Sequence, residues 1–169
     1  VEGIGIDAYG GIGNDTLCVF SSSSGANPLV GDLDNQTITG GSIINGFENV
    51  TGQGGPSTPQ GTLVGTNSDN VIRAEGGSFQ MFGLDGNDTL IGDDFADVFD
   101  GGDGIDTAVF AGVGTVNVDL TNGSASGQGV DTLIDIENAI GSAGVDLLEG
   151  DGENNVLDSG DSAGDVLFG

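Results

Sequence analysis

Residues 83–91 read GLDGNDTLI, residues 92–100 read GDDFADVFD and residues 101–109 read GGDGIDTAV. These three consecutive nonapeptides run without a gap, with Gly first, Asp sixth and an apolar residue (Leu90, Phe99, Ala108) eighth. A fixed period is the signature of stacked repeats, in which each unit buries its apolar side only against its neighbours. Carried backwards, the frame gives AEGGSFQMF at 74–82 and GTNSDNVIR at 65–73, which keep the apolar eighth residue (Met81, Ile72) but place Phe79 and Asn70 sixth. GGIGNDTLC at 10–18 is a further copy. GSAGVDLLE at 141–149, GDGENNVLD at 150–158 and, after one extra residue, GDSAGDVLF at 160–168 continue the series.

Nine residues suit a half-coil, about six of turn followed by about three of strand, and in so short a strand the middle side chain faces away from its neighbours. Leu17, Ile72, Met81, Leu90, Phe99, Ala108, Leu148, Leu157 and Leu167 at position eight are therefore expected to point inward, and Thr16, Thr89 and Thr107 outward. Gly at positions one, two and four is expected to allow positive φ and close backbone approach. Two half-coils complete one turn of a solenoid, so each unit stacks on the next but one at about 4.8 Å. Asp88 should then lie over Asp106, with Asn70 beyond Asp88.

Composition sets the electrostatics of such a stack. The 169 residues include 27 acidic and 1 basic side chain and no His, for a formal charge of −26, and 35 are Gly. That charge excludes nucleic acid, anionic membrane and phosphate-rich ligands as direct partners, and invites cations. No apolar run approaches the roughly 18 residues of a membrane span, so no direct membrane insertion is expected. One cysteine and no His leave Cys/His zinc sites and Cys/His or Ser/His/Asp catalysis without partners. No stretch carries a 3.6-residue apolar stripe free of Gly, so helix is not expected.

GGIGNDTLC and GGDGIDTAV match GGxGxDxUx, where U is large and apolar, and in this the chain resembles the RTX, or haemolysin-type, calcium-binding nonapeptide-repeat proteins. The resemblance implies a parallel β-roll. The expected fold class is all-β: a parallel β-roll solenoid of nonapeptide half-coils with two larger strand-containing inserts.

Stacked carboxylates explain why a cation belongs there. Two bare carboxylates about 5 Å apart repel by roughly 3 kcal/mol at an effective dielectric near 20, and a series of such pairs multiplies the cost. A divalent ion with six to eight oxygen ligands fits the gap; hard oxygens without His or thiolate favour Ca²⁺ over Zn²⁺, and carbonyl-rich, loose geometry disfavours Mg²⁺. The resemblance implies the same ion, in several copies. Carried over residue by residue, it implies carboxylate ligands at Asp15, Asp88, Asp97, Asp106, Asp146 and Asp165. Turn carbonyls would come from Gly10, Gly11, Ile12 and Gly13, from Gly83, Leu84, Asp85 and Gly86, and from Gly101, Gly102, Asp103 and Gly104. Phe79 cannot ligate, and Asn70 and Asn155 offer only neutral oxygens, so the ion between the 74 and 92 turns is in doubt and the 83/101 pair is the strongest candidate.

A longer period lies over the short one. GGIGNDTLCVF at 10–20 parallels GGDGIDTAVFAG at 101–112, and NGFENVTG at 45–52 parallels LIDIENAIG at 133–141. The resulting division is 1–20 first repeats, 21–61 insert and loop, 62–110 main tandem block, 111–140 second insert and 141–169 C-terminal block. Each insert reads as one enlarged, strand-containing turn; Val116, Val118 and Leu120 alternate with polar residues, Asn122-Gly123 is a turn signal, and GQGGPSTPQG at 52–61 is a loop or soft linker. Both ends fall inside repeats, GIGID at 3–7 being a partial copy, which makes a piece of a longer array the expectation.

Several features have plainer readings. Most insert and position-three Asp residues are expected to be solvated, Glu48 and Glu137 either cap an insert ion or lie on the surface, Arg73 is a surface ion-pair partner, and Cys18 an incidental thiol. The N-x-Ser/Thr triplets follow from composition. No catalytic set is present, so the chain is expected not to be an enzyme. The expected function is a calcium-binding structural module of a secreted or cell-surface protein, folding on Ca²⁺ binding outside the cell and serving as a scaffold, adhesin or layer segment, with self-assembly or contact with neighbouring modules as its protein partners. The alternative is the calcium-dependent C-terminal secretion and folding module of an extracellular protease, lipase or epimerase. An ice-binding face would need a regular Thr array, and Thr16, Thr89 and Thr107 are too sparse. The resemblance implies a Gram-negative bacterium and type I secretion.

Overall fold

The computed structural model describes residues 4–8, 15–21, 30–32, 37–38, 48–54, 61–112, 114–127, 129–160 and 163–169. Among them there are strands and turns and no helix. The strands are β1 (Ile4–Ala8), β2 (Thr16–Ser21), β3 (Val30–Asp32), β4 (Thr37–Ile38), β5 (Asn49–Gln53), β6 (Gly61–Val64), β7 (Val71–Glu75), β8 (Phe79–Gly86) and β9 (Thr89–Gly92). They continue with β10 (Val98–Gly104), β11 (Thr107–Phe110), β12 (Asn117–Asp119), β13 (Ser124–Ser126), β14 (Val130–Ile134), β15 (Asn138–Ile140), β16 (Leu147–Glu149), β17 (Leu157–Asp158) and β18 (Val166–Phe168).

Two sheets result. The first runs β1-β2-β5-β7-β9-β11-β15-β17 and the second β18-β16-β12-β13-β14-β10-β8-β6-β3-β4. From β7 to β11 successive strands alternate between the sheets, and each lies parallel to the strand two units on. Val71, Thr89 and Thr107 stand in register, as do Met81 and Phe99. A period of nine residues thus becomes a stacking step of two periods, which sets Asp88 against Asp106.

Position eight supplies the core. Leu17, Ile72, Met81, Leu90, Phe99, Ala108 and Leu148 are buried, each contributing about 1.5–3 kcal/mol for a large side chain. Phe79, Phe110, Val50 and Leu63 join them, with the Phe99 and Phe110 rings tilted 5.5 Å apart. Leu157 is only partly buried and Leu167 is 42% exposed, against expectation. β17 and β18 end their sheets and have a stacked neighbour on one side only. Thr16 is exposed, while Thr89 and Thr107 are half-buried between stacked neighbours.

The turns are more regular than the half-coil reading allows. β8 and β10 extend through positions one to four, pairing Leu84 with Gly102, Asp85 with Asp103 and Gly86 with Gly104, because turns of equal length stack their backbones as strands do. Position two takes positive φ in Gly102 (94°) and also in Leu84 (85°), and position four in Gly86 and Gly104. Position one does not: Gly83 and Gly101 are required for space, as shown below.

The second insert is not a single enlarged turn. β12, β13 and β14 form an antiparallel meander intercalated in the second sheet, with β14 parallel to β10 and β12 parallel to β16. In the first sheet β15 stacks directly on β11 across the same interval. Val116, Val118 and Leu120 face the core, and Asn122-Gly123 makes the expected turn, with the Asn122 N–H donating to Asp119 Oδ1 and Gly123 at φ 61°. In the first insert β3 pairs antiparallel with β4 and parallel with β6. β1, which contains most of the partial copy GIGID, pairs antiparallel with β2 and so departs from the parallel stacking of the repeats. Residues 22–29, 33–36, 39–47 and 55–60 of the first insert and its loop lie outside the described residues.

Candidate metal centre

Position six is where each unit turns into its strand, so parallel stacking builds columns of these side chains. In the first sheet one column contains Asp15, Glu48, Asn70, Asp88, Asp106, Glu137 and Asn155. One oxygen each of Glu48, Asp88, Asp106 and Glu137 is used on the backbone of the unit before it. Asp88 Oδ1 accepts the Asn70 N–H at 2.7 Å, Asp106 Oδ1 the Asp88 N–H at 2.7 Å and Glu137 Oε2 the Asp106 N–H at 2.7 Å. Glu48 Oε2 accepts the Asp15 N–H at 2.8 Å. The second sheet repeats the arrangement: Asp97 Oδ1 accepts from Phe79 N–H at 2.8 Å and Asp131 Oδ1 from Asp97 N–H at 2.9 Å. Beyond the meander, Asp146 Oδ1 accepts from Val116 N–H and Asp165 Oδ1 from Asp146 N–H.

The second oxygens carry the chemistry. Asp88 Oδ2, Asp106 Oδ2 and Asp131 Oδ2 are buried without a hydrogen-bond partner. An unmet buried acceptor costs about 1–3 kcal/mol and a charged one more. Burial, chiefly, pushes Asp88 up to about 6 and Asp97 and Asp131 up to about 7, with the charge of Asp106 adding at Asp88 and that of Asp93 at the other two. Asp106 is raised as well, by burial first and then by Glu137, Asp135 and Asp100. The chain has one basic side chain to offset this, Arg73, which pairs at 3.8 Å with Glu75 on the surface.

Position-one glycines show where those oxygens look. A Cβ on Gly83 would stand 2.3 Å from Asp88 Oδ2 and 2.4 Å from the Gly101 carbonyl. On Gly101 it would meet the Asp135 carbonyl at 2.2 Å and Asp106 Oδ2 at 2.6 Å, and on Gly92 Asp97 Oδ2 at 2.9 Å. The outer carboxylate oxygen of a turn and a carbonyl of the stacked segment thus face one cradle that only Gly leaves open. Among the described residues no three Asp, Glu, Cys or His side chains converge. Such a cradle therefore supplies a cation with one or two carboxylates and main-chain carbonyls, an all-oxygen set that suits Ca²⁺.

Of the expected ligands, Asp88 and Asp106 are stacked, as are Asp146 and Asp165, while Asp97 lies between Phe79 and Asp131 and Asp15 beside Glu48. Gly83–Gly86 and Gly101–Gly104 form two paired turn segments with Asp85 and Asp103 exposed. Gly10, Gly11, Ile12 and Gly13 lie outside the described residues. Phe79 points into the core. Asp146 differs from its counterparts: Ser142 at position two sets its N–H 2.5 Å from Oδ2 and its hydroxyl within 3.0 Å of both carboxylate oxygens.

Asp131 is a correction. An insert Asp was expected to be solvated, yet this one is 3% exposed and continues the column below Asp97. The signal lay in residues 126–134, SGQGVDTLI, which repeat the nonapeptide pattern out of frame, with Ser for Gly at position one. Glu48 and Glu137 likewise stand in the column, each followed by an Asn (Asn49, Asn138) that accepts the N–H of Val71 or Val156.

Comparison with protein families matches residues 80–108 and 135–166 to the RTX calcium-binding nonapeptide repeat, in four copies. No curated protein matches the chain.

Proposed function

We propose that this chain, a carrier of RTX calcium-binding nonapeptide repeats, is a structural module that folds as a parallel β-roll solenoid when calcium binds outside the cell. The observation that carries the reading is the set of buried, unpartnered oxygens on Asp88, Asp106 and Asp131 in a stack with a single basic side chain. Bound calcium supplies the positive charge that lets these carboxylates ionise while buried. The protein's part is positional: parallel pairing fixes the spacing, one oxygen of each Asp is held by a backbone N–H, and Gly at position one keeps the cradle open.

Ion binding of this kind is folding free energy, since the unfolded chain holds no formed site. Extracellular calcium-binding modules work at about 10⁻⁴–10⁻³ M, far above cytosolic calcium, so the module is unstructured where it is made and ordered after export. A secreted or cell-surface place and a role as scaffold, adhesin or layer segment fit that logic, and the likeness to RTX repeats implies a Gram-negative bacterium. The role is non-catalytic. The hollow of about 280 Å³ between Phe110 and Ile140 is lined by no ionisable side chain. One of about 250 Å³ gathers Asp135, Glu137 and Asp151 without a basic partner.

Far-UV circular dichroism in calcium and in chelator tests this. Strand signal that appears with calcium is expected; equal signal and equal heat stability in chelator would sink the coupled-folding reading.

A further inference from the structure

We propose that Asp97 and Asp131, set against each other where the β12–β14 meander meets the stack, hold a calcium ion that pins the meander to the preceding repeats. The inference rests on the calcium reading above and adds a ligand, Asp131, that lies between the two matched segments, which end at 108 and resume at 135, with Asp97 inside the first.

The case begins with the turn into β14. SGQGVDTLI at 126–134 places Gly at positions two and four, Asp131 at six and Leu133 at eight. Gly127 and Gly129 adopt φ of 114° and 85°, the left-handed conformations that Gly102 and Gly104, or Leu84 and Gly86, take at the same positions. Leu133 is buried opposite Phe99. Asp131 Oδ1 holds the Asp97 N–H at 2.9 Å as Asp106 Oδ1 holds that of Asp88 at 2.7 Å. A Cβ on Gly129 would lie 2.3 Å from the Phe95 carbonyl, just as one on Gly104 would strike the Gly86 carbonyl. From position four onward the segment therefore stacks as a repeat turn does.

Before position four it departs. Ser126 pairs with Val130, so the turn closes a hairpin within one sheet where the other turns cross between sheets, and Gly127 lies against the Thr115 carbonyl. A metal ion is asked for at this rung all the same. Asp131 Oδ2 is buried and has no partner, and Asp97 Oδ2 has only the Asp93 N–H at 3.4 Å. The Asp93 carboxylate is occupied by the N–H groups of Phe95 and Gly76. With fewer carbonyls shared between its two turns, this site binds calcium more weakly than the Asp88/Asp106 site.

Calcium stoichiometry of the whole chain, measured by equilibrium dialysis, decides the matter. Asp131→Asn keeps the Oδ1 acceptor and is expected to bind one ion fewer than wild type. Asp97→Asn should lose the same ion, and the double variant no more than either alone, whereas Asp106→Asn combined with Asp131→Asn should lose a further one. Unchanged stoichiometry in Asp131→Asn overturns the site and leaves the repeat reading standing. A wild-type chain that binds no calcium overturns the repeat reading itself. If Asp131→Asn fails to fold in saturating calcium, Asp97→Asn is read by the same criterion. Failure of both counts against the site, because Asn keeps the backbone bond and removes the repulsion that the ion offsets.

Discussion

Two parts of one column meet the same stacking problem in opposite ways. At Asp88 and Asp106 each Oδ1 takes a backbone N–H and each Oδ2 is left buried without a partner. At Asn70 and Asn155 the side-chain oxygen accepts the N–H of position two in its own turn, from Thr66 at 2.6 Å and Asp151 at 2.8 Å. The amide nitrogen then donates across the rung, from Asn70 to the Glu48 carbonyl and from Asn155 to the Glu137 carbonyl. Both Asn residues follow a Glu-Asn pair in the column, so the arrangement recurs as a unit. At Asp88 and Asp106 the outer oxygen is left for a cation; at the Asn rungs a protein N–H stands in that place, as the Ser142 N–H and hydroxyl do at Asp146. Among the described residues, rungs with unpartnered carboxylate oxygens thus alternate with self-contained junctions, and the Glu-Asn pairs at 48–49 and 137–138 that mark the junctions belong to the two segments whose likeness gave the longer period.

Removing calcium should separate the two kinds of rung most strongly. In chelator at pH 7 the Asp rungs are expected to lose strand structure, and hydrogen exchange should show amide protection falling most at 89–109. Acid should reverse part of this. Asp88, raised to about 6, and Asp97 and Asp131, raised to about 7, take up protons more readily folded than unfolded. Their contribution to stability is therefore fully present below about pH 4, near the ordinary Asp value, and is lost as pH rises through 6 to 7. Metal-free protein should gain strand signal as pH falls from 7 to 4, while calcium affinity should weaken over the same range because protons compete for the same oxygens. A metal-free chain that is more structured at pH 7 than at pH 4 would contradict both.

Next in size is the pair of substitutions Asp88→Asn and Asp106→Asn made together. Neutral Asn keeps the Oδ1 acceptors, so the expected outcome is a crossing: fewer bound ions and a lower Tm in calcium, but a higher Tm than wild type in chelator. Lower stability in both conditions would mean that these carboxylates matter for hydrogen bonding and not for the ion. Gly83→Ala acts on the cradle itself. Its methyl would stand 2.3 Å from Asp88 Oδ2 and 2.4 Å from the Gly101 carbonyl, and a cost of about 1–3 kcal/mol is expected from such overpacking, together with weaker calcium binding. Gly152→Ala, with nothing within 4 Å, is the control that should leave calcium affinity unchanged.

Much of this was legible in the sequence because a fixed period leaves few ways to stack. Leu90, Phe99 and Ala108 at position eight reach the core, and Asp88 meets Asp106, for that reason alone. What period could not carry was placement where the frame is interrupted. Asp131 was hidden because its turn has Ser126 at position one and arrives from an antiparallel strand, so only the part from position four onward stacks. Glu48 and Glu137 were left between an ion cap and the surface because a longer side chain, one residue before an Asn, performs the task of a position-six Asp, in Glu137 from a segment with no Gly-rich turn. For position-one Gly both positive φ and close backbone approach were expected; only the close approach holds, with room for a carboxylate oxygen as well, and choosing between the two needs the stacked neighbour in place.

Asn155→Asp gives the smallest effect and tests the junction directly. The substitution keeps an acceptor for the Asp151 N–H but removes the donor to the Glu137 carbonyl, bonded at 2.8 Å, and brings a carboxylate to a rung that already holds Glu137. In chelator the loss should be about 1–3 kcal/mol, the range for a lost bond with an acceptor left unmet. In calcium the loss should shrink, since the new carboxylate and the released carbonyl are the donor types that the Asp rungs present. Heat denaturation of wild type and variant in both buffers measures this, and the difference between the two losses is the informative quantity. An equal loss with and without calcium would show that the junction cannot be converted into an ion-binding rung by its position-six residue alone, and that the Gly-rich turn, absent before Glu137, is the other necessary part.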